Sequence, residues 1–261
     1  LWNSFRFLTL NFEKEELAEL IKSDNFLDQN VKLQLADRWI LSRLHKTIQK
    51  VTEALENFHF NEAVDNLYSF FWHEYCDWYL ELIKPRLYGD DPEGKKIALG
   101  IGVYAIRTIV KLLHPFIPFI SEEIWHQVKL ENEPDLIIAQ WPSFHADYFD
   151  EQSEDEMLLI QQVVGAVRNI RGEMNVPPTK KAHVLIKSDN SGHLELIAAN
   201  EVYLTSLARV SDIELKKDLE KPKFSASAVI GDLEIFVPLE GLINIEVKRN
   251  QSSRESDTEH Q

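Results

Sequence analysis

At 261 residues, 44% of them hydrophobic and 10% aromatic, the chain carries enough apolar side chain for one large domain or two ordinary ones, which excludes wholesale disorder. A single cysteine, Cys76, excludes an internal disulfide framework and suits a reducing compartment such as the cytoplasm, and no apolar run reaches the roughly 18 residues that span a bilayer. The formal charge of −15 weighs against phosphate binding.

The chain opens on Leu1 inside an amphipathic pattern (Leu1, Phe5, Leu8), which reads as an excised piece of a longer protein. Trp39, Ile40, Leu44, Ile48, Val51 and Leu55 then recur at the steps of one helix face. After Asn61, a candidate cap, Val64, Leu67, Tyr68, Phe71, Trp72, Tyr75, Trp78, Tyr79 and Leu82 predict a helix that Pro85 stops. Asp91-Pro92 supplies a cap and an N1 proline for a helix to about Leu113. His114-Pro115 interrupts it, and Ser121, Glu122 and Glu123 lead into a last helix with Ile124, Trp125 and Val128. Long helices with ordinary connections predict an antiparallel bundle over residues 1–150.

Residues 131–152 are polar, contain Pro134 and Pro142, and mark a boundary. Ser153 and Glu156 form a capping box before Leu159, Val163, Val167 and Ile170, and Pro177-Pro178 ends that helix. Beyond it a strand (182–186), a helix (194–207), a strand (210–215) and a hairpin turning at Gly231-Asp232 predict a small α+β domain over 151–247. Residues 248–261 read as a polar, disordered tail. The fold class expected is mainly α: an antiparallel helix bundle followed by a small α+β domain. The charge is uneven across this plan. Residues 131–160 hold nine acids and no Lys or Arg, whereas between 168 and 187 Arg168, Arg171, Lys180, Lys181 and Lys187 face only Glu173. Screening confines each field to about 10 Å, so a local basic patch counts for more than the total.

Phosphate loops, dinucleotide fingerprints, nucleophile elbows and zinc-spaced Cys pairs do not occur. Glu56-x-x-His59 and Glu123-x-x-His126 are two Glu-x-x-His pairs of the kind a di-iron bundle uses, which gives a metal-binding helical protein as an alternative. The plainer reading is solvated or capping side chains, with no metal. Trp72, Tyr75, Trp78 and Tyr79 would serve as a base-stacking platform or, at helical spacing, as core. The acidic balance itself favours a third reading, a protein-interaction module.

Three stretches resemble the C-terminal part of the valyl-tRNA synthetase family. They are Leu1-Trp-Asn-Ser-Phe-Arg-Phe7, Leu35-Ala-Asp-Arg-Trp39 with Phe71-Trp-His-Glu-Tyr-Cys-Asp-Trp-Tyr-Leu80 to Lys84-Pro85, and Leu113-His-Pro-Phe-Ile-Pro-Phe119 with Ser121-Glu-Glu-Ile-Trp125. These patterns are shared with isoleucyl and leucyl enzymes. Arg168-Asn-Ile-Arg-Gly-Glu-Met-Asn-Val-Pro-Pro178 with Lys180-Lys181 is narrower and looks valyl, leaving an isoleucyl enzyme as the nearest alternative. The resemblance implies a class I anticodon-binding bundle whose partner is tRNA-Val. It also implies that catalysis, editing, ATP and Mg belong to a catalytic region outside this chain, so that the piece alone is inactive, has no cofactor of its own and is a cytoplasmic monomer. Carried over by motif, Asn3 would hydrogen-bond and Phe7 would stack on anticodon bases, and Leu80 would pack against one. Arg6 and Lys84 would meet phosphates. Arg168, Arg171, Lys180 and Lys181 would meet either the tRNA backbone or the catalytic domain. The family's basic C-terminal coiled coil is not recognisable after Leu242.

Overall fold

A computed structural model of the chain describes residues 1–22 and 31–242; the predicted tail at 248–261 and the segment after Leu242 lie outside the described residues. The chain divides into two compact units between Met157 and Leu158, seven residues beyond the boundary the sequence suggests. The mainly helical class with a small sheet after it is as predicted. Among the described residues, no helix is long and apolar enough to cross a membrane.

In the first unit, α1 (Trp2–Thr9) and α2 (Lys14–Lys22) precede α3 (Leu35–Glu56). Trp39, Ile40, Leu44, Ile48 and Val51 are buried, as their spacing predicts. Then α4 (Phe60–Tyr68) doubles back along α3. Its start differs from expectation. Phe58 adopts φ +61°, which lets the His59 N–H reach the Ala54 carbonyl at 2.7 Å, and the helix begins at Phe60 with Asn61 already inside it. The chain reverses at the left-handed residue, so the asparagine is not needed as a cap.

From α4 the chain passes directly into a π-helical stretch, Ser69–Tyr79, then the short α5 (Leu80–Leu82) and α6 (Lys84–Leu87). Phe70, Phe71, Tyr75 and Tyr79 of the π stretch are buried. The Tyr75 hydroxyl donates to the Gly102 carbonyl at 3.0 Å and that of Tyr79 to Ala98 at 3.3 Å, both on α7 (Pro92–Leu113). Asp91 caps α7 by accepting the Gly94 N–H at 3.0 Å, with Pro92 first in the helix, as the dipeptide predicts. The next helix, α8 (Pro118–Val128), starts at its own N-terminal proline rather than at Ser121. Ser121 is buried and donates back to the Ile117 carbonyl at 2.9 Å.

The polar stretch before α9 (Glu151–Glu173) is fastened along the bundle rather than left as a linker. Trp125 Nε1 donates to Pro134 O at 2.9 Å, Trp141 Nε1 to Thr52 Oγ1 at 2.9 Å, and the His145 N–H to His45 Nδ1 at 3.1 Å. The first turn of α9 is held to α3 by charge: Arg38 meets Asp150 at 3.1 Å and Glu156 at 3.2 Å, and Glu154 meets Lys46 at 3.0 Å and Arg43 at 3.2 Å. Asp150 caps this helix through the Ser153 N–H at 2.9 Å, so the predicted capping box at Ser153 lies three residues too late.

In the second unit the strand order is β2-β1-β4-β3, built from β1 (Ala182–Lys187), β2 (Val210–Lys216), β3 (Ser225–Ile230) and β4 (Leu233–Pro238). β1 and β2 are parallel, joined through α10 (Ser191–Ala199) and α11 (Glu201–Leu207). A single helix is expected there; Asn200 divides it. β3 and β4 form the predicted hairpin, with Ile230 opposite Leu233 and Gly231 at φ +55° in the two-residue turn.

Candidate nucleic-acid interface

The first helix has two faces. Phe5 and Leu8 are buried, and α1 packs on α7 where Gly102 lacks a side chain; a Cβ there would come within 2.8 Å of Leu8 Cδ2. Asn3, Arg6, Phe7 and Leu10 fall at i, i+3, i+4 and i+7, the opposite stripe. Asn3, Arg6 and Leu10 are exposed and Phe7 is half-buried. Trp2 lies against Phe5 at 5.3 Å between ring centroids.

Two contacts join α1 to the segment around residue 80. Ser4 Oγ is 3.1 Å from Cys76 Sγ, and Lys84 Nζ stands 5.6 Å from the centre of the Phe7 ring. Burial raises the Cys76 thiol's pKa against the opposing pull of Ser4. Lys84 also pairs with Glu81 at 2.5 Å. Both partners are more than a third exposed, so the pair contributes at most about 1 kcal/mol. An arriving phosphate can therefore take the ammonium from Glu81 at little cost. Leu80 is buried. The structure thus brings Phe7 and Lys84 together, keeps Asn3 and Arg6 on the same open stripe, and leaves Leu80 inside.

Behind this edge lies a buried network. Arg86 donates to Asp37 Oδ2 at 2.6 Å and to the Gly94 carbonyl at 3.1 Å. Tyr79 OH is 3.4 Å from Asp37 Oδ1, and the Gln34 N–H is 3.0 Å from Oδ2. Burial raises the Asp37 pKa while Arg86 opposes it. Arg86 sits two residues after Lys84, so the pair anchors the segment that carries the lysine. From sequence, Asp37 has no role and Arg86, like Lys84, reads as a cation at a helix end facing a phosphate; the buried pairing of the two spans 49 positions and leaves no local pattern.

The basic residues of the second unit behave differently from one another. Arg171 is buried, donating to Lys180 O at 2.8 Å and Pro177 O at 3.3 Å. Its pKa is lowered by burial and then by Arg209. Arg209, which sequence reading did not single out, donates to Pro178 O at 2.7 Å. Lys180 Nζ reaches Gly241 O at 2.6 Å and Arg168 Nε reaches Leu207 O at 2.9 Å. Arg171 and Arg209 thus brace the Pro177-Pro178 turn, Arg168 and Lys180 tie to carbonyls elsewhere, and Lys181 is exposed.

The aromatic cluster splits: Tyr75 and Tyr79 are core, whereas Trp72 is exposed. Among the described residues, the one group of His, Cys and carboxylate side chains within reach of a common ion is Glu122, His126 and Asp135. It shares only His126 with the two Glu-x-x-His pairs. Glu122 accepts the Leu136 N–H at 3.1 Å and Lys129 Nζ lies 2.6 Å from Asp135, so the group already holds the 129–136 loop on α8.

A family profile described as the anticodon-binding domain of tRNA ligase matches residues 37–186. The chain is 37% identical over 257 residues to a valine–tRNA ligase of Enterococcus faecalis, covering 98% of this chain and 28% of that protein. It is 38% identical over 256 residues to that of Geobacter sulfurreducens, with the same two shares. With the ligase of Bacillus anthracis it shares 35% over 249 residues, or 95% of this chain and 27% of the relative. The chain therefore spans just over a quarter of the length of these curated relatives. A matched span that runs from α3 into β1, together with the fold it covers, shows that the chain belongs to the anticodon-binding domain family of the tRNA ligases.

Proposed function

We propose that this chain is the tRNA-reading part of a valyl-tRNA synthetase, with the exposed stripe of α1 and the adjoining Lys84 as the surface that meets the anticodon of tRNA-Val. The observation that carries the residue assignment is the Lys84 ammonium over the half-buried Phe7 ring, beside exposed Asn3 and Arg6. Single-stranded loop bases are read by edge hydrogen bonds and by stacking on aromatic rings; an amide, a ring and two cations on one edge supply those chemistries. Leu80 supports the edge from inside. Arg168, Lys180 and Lys181 form a second contact, to the tRNA backbone or to the catalytic region of the longer enzyme, and Arg171 acts there through the turn it braces. Valine activation, ATP and Mg belong to that longer enzyme, in the cytoplasm.

Titration of the wild-type chain, Phe7→Ala and Lys84→Ala with tRNA-Val at several salt concentrations tests the assignment. Phe7→Ala should weaken binding by about 1–3 kcal/mol with the salt slope unchanged, as loss of one stacked base does. Lys84→Ala should instead flatten the slope by about 0.7, the value for one phosphate contact on a single strand. If neither variant differs from wild type, the interface lies elsewhere.

A further inference from the structure

The first unit also exposes a row of apolar side chains. Phe60, Val64, Tyr68 and Trp72 follow one another at four-residue steps along α4 and into the π stretch, the spacing that stacks side chains on one helix face. Together with Phe58 at the head of the helix, they are between 42% and 78% exposed. The rings are ordered against each other: Tyr68 and Trp72 lie 6.2 Å apart and 4° from parallel, and Phe58 meets Phe60 edge-on at 6.3 Å. The row is about 18 Å long at the helical rise per residue. Apolar side chains this numerous and contiguous on a surface mark a binding face more often than chance exposure.

The charge around the row selects its occupant. Residues 56–77 contain five carboxylates and no Lys or Arg. Glu74 is taken by Arg43, which grips it through Nε at 2.7 Å and a second nitrogen at 2.8 Å. Glu56, Glu62, Asp65 and Asp77 remain exposed; Glu62 meets His59 and shares a groove with Lys50, and Asp77 meets His73. An acidic rim repels nucleic acid. It also disfavours a second copy, since pairing like rows sets like charges together. A helix surface has no unpaired backbone edge for a strand to join, so the partner must interdigitate side chains.

We infer that the Phe58–Trp72 row docks a basic amphipathic helix of another protein surface, apolar residues against the row and Lys or Arg over Glu56, Asp65 and Asp77. The inference does not rest on the anticodon reading, since none of Asn3, Arg6, Phe7 and Lys84 belongs to the row.

Calorimetric titration of the whole chain with a synthetic helix bearing leucines at four-residue steps flanked by lysines tests the inference. The same peptide with glutamates for lysines is the control. The lysine peptide should bind and the glutamate peptide should not. Tyr68→Ser with Trp72→Ser should weaken binding at least about tenfold, as removal of central aromatic anchors does, and Asp65→Lys should weaken it with every aromatic in place. Unchanged tRNA-Val binding by both variants would show that each still folds. Equal peptide binding by wild type and both variants overturns the inference. So does a tRNA affinity that falls in the Tyr68/Trp72 variant while the peptide fails to bind wild type, which would make the row an RNA platform. Self-association of wild type that the Tyr68/Trp72 variant lacks overturns it in favour of a second copy.

Discussion

His45 shows how one side chain can tie a segment to the bundle. It is fully buried, stacks on Tyr148 at 4.3 Å, accepts the His145 N–H through Nδ1, and meets the Tyr104 hydroxyl through Nε2 at 3.0 Å. Because Nδ1 accepts, the neutral ring carries its proton on Nε2 and donates to Tyr104. Burial, then the nearby His145, lower its pKa from 6.5 to about 4. Well above pH 6.5 the side chain is neutral in folded and unfolded chains alike and adds no pH dependence. As pH falls toward 4, the unfolded chain binds a proton that the folded one refuses, and stability drops. Between about pH 7 and about pH 5 this amounts to roughly 2 kcal/mol. Urea unfolding at those two pH values should show that loss in wild type and a smaller one in His45→Gln; an equal loss would contradict the role. No sequence pattern announces His45, since its partners lie 59 and 100 positions away. Arg171 was misleading for a related reason: a basic cluster reads as outward-facing until burial is known.

Among the elements, what was legible was local. Asp91-Pro92 and Gly231-Asp232 carry their own geometry, and the cap and the hairpin appear where they predict. Asn61 and Ser153 carry the same chemistry, but the reversal at Phe58 leaves Asn61 inside its helix, and Asp150 takes the Ser153 N–H. The π stretch was not legible, because its aromatic spacing fits an ordinary buried helix. The seating of α1 on α7 decides whether the proposed edge exists at all, and it rests on Leu8 against Gly102. Leu8→Ala should cost about 2–5 kcal/mol. Gly102→Ala should destabilise wild type through the clash with Leu8 yet stabilise the Leu8→Ala chain by up to about 1 kcal/mol, the helix preference of alanine over glycine. Denaturant unfolding of the four chains gives the coupling. Additive effects would mean that α1 does not seat there.

For the whole molecule, the net charge loses its force as an objection once its location is known. Of the nine acids between 131 and 160, Glu133, Asp135, Asp150, Glu154 and Glu156 pair with Arg107, Lys129, Arg38, Arg43 and Lys46 of the bundle. Much of the acidic excess of this stretch is thus already neutralised by the bundle's own cations. The family and the overall plan were readable because ordered motifs run the length of the chain. The acidic rim and the buried cation knot were not, because charge counts ignore pairing. The central claim is that this chain reads an anticodon rather than merely attracting phosphate. Its most direct test is the affinity of the chain for tRNA-Val against the same tRNA with its second and third anticodon letters replaced, at low and high salt. A preference for the native anticodon that persists as salt weakens both complexes, and that vanishes in Asn3→Ala with Phe7→Ala, is the result predicted. Equal affinity for both tRNAs at each salt concentration would contradict it.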